Sequence, residues 1–235
     1  MADMGLGYGS EFQLLRFLGH HRNELDSLIK NEIGTEEPIE WKDFPHDESR
    51  ISGDGEWKGI DVFQHFLAKD KYNDIKKKWK EYWPQSGTAM SWDGVFRIGD
   101  IWYFVEAKAH KEESYQKCKS ISEESKNTIR TAFKDTQLWL GVNEEKKWID
   151  TNCYQLANRL AFLYFCEQKC GIKAKLIYIG FINGYRRKKD EIHSSEEWME
   201  IWKNELSSLG LDIENIQNKY IFFVHPECES DHNNQ

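Results

Sequence analysis

Three side chains near the middle of the chain, Asp93, Glu106 and Lys108, have the types and spacing to hold a cation and steady an anion beside it. They lie in the stretch from Trp92 to His110, where two runs rich in β-branched and aromatic residues flank Gly99-Asp100. A Gly-led pair between such runs signals a two-residue hairpin turn. With Ile98 facing Ile101, the ladder sets Arg97 against Trp102, Val95 against Phe104 and Asp93 against Glu106. Side chains alternate faces along a strand, so Lys108 shares the face of Glu106, while Phe96, Ile98, Tyr103, Val105 and Ala107 line the other. Directly opposed residues have Cβ atoms roughly 4.5–5.5 Å apart, and like charges there repel. A hard divalent cation such as Mg²⁺, with Mn²⁺ as its substitute, would relieve that repulsion, and Lys108 could hold a water or a developing oxyanion. The alternative is a hairpin end emerging into solvent, with both acids hydrated.

Other acid-x-Lys triplets occur, among them Glu40-Trp41-Lys42, Glu56-Trp57-Lys58 and Asp74-Ile75-Lys76. Only Glu106-Ala107-Lys108 ends an apolar strand with an Asp at the paired position one strand back. Asp93 followed by Glu106-Ala107-Lys108 resembles the signature of the PD-(D/E)XK nuclease superfamily, with Trp92 where the Pro of that name would stand. In outline the resemblance runs from about Ser10 to Phe223. It implies a restriction-endonuclease-like α/β core, a mixed central β-sheet flanked by helices. It also implies a Mg²⁺ ion held by Asp93, Glu106 and the carbonyl of Ala107, with Lys108 as the catalytic amine. A Glu on a preceding helix often completes such a site, which points to Glu11; its alternative role is a carboxylate favoured by the helix dipole. Some members carry a Gln on a later helix, which Gln155 resembles loosely, and Arg159 joins it as an expected substrate contact.

The elements that must position these groups follow from periodicity. Leu14, Leu15, Phe17, Leu18, Leu25, Leu28 and Ile29 predict one amphipathic helix from about Ser10, its N-cap, to Lys30. The stretch at about 35–88 reads as an aromatic- and Lys-rich insertion, with a strand somewhere in Trp57 to Leu67 and a helix over Lys69 to Tyr82. Aromatics among those lysines could stack on unpaired bases, or simply dock the helix. Lys111 to Thr136 reads as charged and mostly helical, and Asp150 or Thr151 as the cap of a strongly apolar helix ending near Cys170-Gly171. Ala174 to Ile182 and Lys219 to Val224 read as strands, separated by a helix capped at Ser194 or Ser195. The mixed order of helices and strands predicts one domain over residues 1–235 with helices on both faces of a sheet.

Composition limits the partners. The chain has 235 residues, enough for a substantial core, and no apolar run near the roughly twenty residues of a membrane span. With no basic-plus-apolar leader, it is expected in the cytoplasm, without membrane contact. Five cysteines without a Cys-x-x-Cys pair fit reduced thiols; Cys166 and Cys170 could share a helix face as half a zinc site, though buried packing accounts for them. The net charge of −8 excludes binding to nucleic acid by overall basicity, leaving local clusters such as Lys69 to Lys80 and Arg186-Arg187-Lys188-Lys189. Three functions remain open: a Mg²⁺-dependent nuclease acting on DNA, with two copies pairing to cut both strands; a catalytically inactive binding or regulatory subunit of a defence or repair assembly; and a metal hydrolase for a small phosphorylated substrate.

Overall fold

A computed structural model describes residues 9–43, 56–86, 90–143, 146–184 and 191–228. The basic cluster at Arg186 to Lys189, Phe44, the first eight residues and the polar tail from Ser230 lie outside them. At the centre is the hairpin, β4 (Gly94–Ile98) and β5 (Ile101–Lys108). Its register is the one that turn chemistry and alternation predict: Ile98 pairs with Ile101, Arg97 with Trp102 and Val95 with Phe104. Gly99 takes a φ of 56°, the left-handed turn position that a Cβ would strain.

Around the hairpin a five-stranded mixed sheet forms in the order β1 (Glu40–Trp41), β4, β5, β6 (Ala174–Gly180), β7 (Ile221–Val224). The β1, β4 and β5 strands run antiparallel, whereas β5, β6 and β7 run parallel. A separate two-stranded ribbon joins β2 (Trp57–Lys58) to β3 (Ser91–Trp92) just before Asp93. The fold is thus mixed α/β with helices on both sheet faces.

Alternation along the strands gives each face its own core. Phe96, Ile98, Tyr103, Val105 and Ala107 pack with Leu14, Phe17, Leu18, Leu25 and Ile29 of α1 (Ser10–His20) and α2 (Arg22–Ile33). Two helices thus replace the single one expected over residues 10–30. The break falls at His21 (φ −125°, ψ 27°), just after Gly19, the weakest helix former in the run. Gly9 rather than Ser10 occupies the N-cap position.

On the opposite face Val95, Trp102 and Phe104 meet α3 (Val62–Phe66), α4 (Lys69–Tyr82), α5 (Glu123–Leu140), α6 (Tyr154–Tyr164) and α7 (Ser195–Ser208). The described parts of the stretch at 35–88 belong to the fold: β1 extends the main sheet, and Trp57, Phe63 and Trp79 are buried in this core. Trp57 to Leu67 supplies a two-residue strand and then α3, not one longer strand. The α4 helix has its expected bounds, and its Tyr72, Ile75 and Trp79 face inward, so they dock the helix and are not available to stack on bases.

Two helix starts differ from expectation. The α5 helix opens at Glu123, where the Ser122 side chain accepts from Ser125 N–H. Only a short 3-10 turn, Lys111–Ser114, precedes it, because Gln116 bridges to Cys153 and its carbonyl accepts from Tyr154 N–H. The α6 helix begins at Tyr154, while Asp150 sits in a separate 3-10 turn, Trp148–Asp150. Ser194 does cap α7, accepting from Glu197 N–H. No helix among the described residues is long and apolar enough to cross a membrane.

Candidate functional site

Where β5 ends, it meets α6 and the segment following β3, and the carboxylate of Glu106 is at the centre. It is 3% exposed, and its partners come from two elements, β5 and α6. Lys108, two residues on and therefore on the same face, donates to Oε1 at 2.5 Å. From α6, Gln155 donates to Oε1 at 2.8 Å, and Arg159, one turn later on the same helix face, donates through Nε to Oε2 at 2.7 Å. The Arg159 guanidinium also donates to the Ser91 carbonyl at 2.8 Å and lies 4.6 Å from the ring centre of Trp92. Trp92 serves as a platform for this arginine.

Asp93 sits across the hairpin at the mouth of the same cleft. The expected pairing of Asp93 with Glu106 does not form: the ladder starts at Gly94 opposite Val105, and Asp93, one residue before it, is held by its N–H donating to Val105 O at 3.2 Å and its Oδ2 accepting from Ala107 N–H at 2.6 Å. A cleft of about 760 Å³ opens over Asp93, Glu106, Ala107, Lys108, Gln155 and Arg159.

The two acids differ in their hold on protons. Desolvation, then the charge of Glu106, pushes Asp93 well above the ordinary carboxylate range. Burial also opposes ionisation of Glu106, but Arg159 and Lys108 outweigh it and hold the carboxyl below its usual value. Burial disfavours the charged form of Lys108, yet Glu106 and Asp93 more than compensate and raise its pKa, so the amine stays an ammonium.

Glu11 is not brought to this cleft. On α1 the cleft-facing position is Ser10; Gln13, Leu14 and Phe17 continue its side of the helix, and Glu11 lies about 100° around from it. Two other acids line the cleft instead. Glu113, from the 3-10 turn, accepts from Ser10 Oγ at 3.1 Å and from Ala109 N–H at 2.7 Å. Glu56 arrives on the ribbon that leads into Asp93. Neither carries a local signal: Glu113 sits in a run of charged residues, and Glu56 in a triplet that reads as solvated.

The donor set fits a hard divalent cation. Asp93 and Glu106 offer oxygen only, and the three hydrogen bonds to Glu106 leave about one of its roughly four acceptor positions for a further partner. Mg²⁺ keeps several waters and needs one or two carboxylates. Among the described residues no group of three or more His, Cys, Asp and Glu gathers to bind a metal; Cys166 is buried in the core, with Cys170 packed against it. All five cysteines are free thiols.

Behind Lys108, on α7, Glu205 is 2% exposed, and burial pushes its pKa from 4.5 to about 7 despite the pull of Lys108. Between those values the folded protein binds more protons than the unfolded chain, so stability falls as pH rises. Glu205→Gln is expected to match the native protein below pH 4.5 and to exceed it well above pH 7 by roughly 3 kcal/mol, read as a higher Tm in thermal melts across pH.

No protein-family model, no curated protein and no solved structure matches this chain.

Proposed function

We propose that the chain is a metal-dependent nuclease that hydrolyses phosphodiester bonds, with DNA as substrate and Mg²⁺ as cofactor. The observation that carries this reading is the convergence of Asp93, Glu106 and a charged Lys108 in one cleft. Asp93, Glu106 and the Ala107 carbonyl would hold the ion. When bound, it supplies water activation and charge stabilisation at the phosphate. Lys108 has one hydrogen-bond acceptor among the described residues, Glu106, so two of its three N–H groups remain to orient the attacking water or to meet the charge that builds on the phosphoryl oxygens. Gln155 and Arg159 fix Glu106 in one orientation, so its remaining lone pair is presented in a constant direction.

A second reading has its own support: Lys108 and Arg159 already balance Glu106, as they would in a nuclease-fold module that binds an anion without cutting it. Calorimetry separates the two. Mn²⁺ titrated into the native protein is expected to bind, and Asp93→Asn to weaken binding by at least about tenfold, the typical cost of disturbing a metal's surroundings. If Mn²⁺ gives no heat with the native protein, the binding-module reading replaces the nuclease.

A further inference from the structure

We infer that the substrate entering this cleft is an unpaired strand of nucleic acid, not a relaxed duplex. This inference rests on the nuclease reading and makes its substrate class specific. Depth is the first observation behind it. Glu106, Lys108 and Arg159 are 3%, 4% and 5% exposed, so a scissile phosphate must come to the cleft floor to meet Lys108. The cleft volume of about 760 Å³ falls within the roughly 300–1,000 Å³ range of small-molecule sites. That is room for a nucleotide and its neighbour, not for a helical cross-section. Duplex DNA is stiff over about 150 base pairs and keeps its phosphates on the outside of the cylinder. Bringing one of them to a buried floor therefore requires the flanking nucleotides to leave the stack.

Charge points the same way. Among the described residues that line the cleft, Lys117 and Lys119 on the rim and Lys108 and Arg159 below stand among the acidic Glu56, Asp93, Glu106 and Glu113. The chain as a whole carries −8. Duplex binding relies on neutralising about one phosphate charge per 1.7 Å of axis, which a cleft of mixed charge on an acidic protein does poorly. Single-strand binding draws more of its affinity from apolar contact with base faces. The rim offers one such contact. Between the 3-10 turn and α5 the chain carries Lys117, Lys119 and then Ile121, which is 92% exposed at the cleft edge. An isoleucine left in water beside two lysines can cover a base while the ammonium groups meet the adjoining phosphates.

The test uses the full chain with Mg²⁺ and three fluorescent DNA substrates of one sequence: the unpaired strand, its blunt duplex, and that duplex with a central mismatched bubble. The strand and the bubble are expected to be cut at least about tenfold faster than the duplex, the equivalent of unstacking and unpairing at the site. Ile121→Ser is expected to raise KM for the strand by about fivefold, as loss of a modest apolar contact would. Equal or faster cutting of the duplex overturns the inference while leaving the nuclease reading in place. Cutting of none of the three overturns both. If a free mononucleotide competes as well as the strand does, the substrate is a small phosphorylated molecule and the inference is wrong.

Discussion

Lys108→Met is expected to lower the rate of phosphodiester cleavage by about 10²–10³-fold, the usual loss when one preorganised donor to a developing oxyanion is removed. The substitution keeps most of the side-chain volume, so packing around β5 changes little. It also leaves Glu106 paired with Arg159 at 2.7 Å and hydrogen-bonded to Gln155, so no buried charge is stranded. The fold should therefore stay close to its native stability while turnover is lost. A cleavage assay beside thermal melts separates the two effects. A variant that melts normally and cuts at the native rate would show that the lysine is part of an ordinary ion pair and takes no part in the chemistry.

The part of this site that local rules determine was legible in the sequence. Gly99-Asp100 set the turn, alternation set the register as far as Gly94, and together they put Glu106 and Lys108 on one face, with Asp93 just outside the ladder and tied to Ala107 N–H. The strands β6 and β7, the helix α4 and the Ser194 cap follow from similarly local signals, a short apolar run or a capping serine with glutamates behind it. What was not legible depends on contacts between distant segments. The stretch from Tyr115 to Ser122 has helix-forming residues but no apolar period, and its pairing with the start of α6 decides its conformation. Glu113 reaches the cleft because the 3-10 turn places it beside Ser10, over a hundred positions earlier in the chain. Glu56 reaches it through a two-residue ribbon that no propensity signals.

Arg159 is the instructive case. In the sequence it is a polar residue on an apolar helix, and its expected role was contact with substrate. In the fold it is 5% exposed and its first partner is Glu106. The repulsion between two facing acids, which the sequence alone assigned to a metal ion, is thus partly met by protein cations. Glu106 therefore stays ionised in the fold, while burial and the charge of Glu106 keep the proton affinity of Asp93 high.

This division of charge sets the second large expectation. Glu106→Gln removes the carboxylate that both Lys108 and Arg159 pair with directly, and leaves these two buried cations facing only the longer-range charges of Asp93 and Glu113. Breaking a buried pair from one side typically costs about 3–5 kcal/mol, because the surviving charge keeps its desolvation penalty. The loss should appear in urea unfolding as a lower midpoint with an unchanged slope. Adding Arg159→Met to Glu106→Gln removes one of the stranded charges and should recover a substantial part of that loss, although the double variant has fewer polar contacts than the single one. Such a sign is what a desolvation penalty predicts and what simple loss of hydrogen bonds does not. Recovery in the double variant would identify Glu106 as the counter-charge that allows two cations to be buried beneath the cleft; further destabilisation would mean that Arg159 supports the fold chiefly through Ser91 and Trp92.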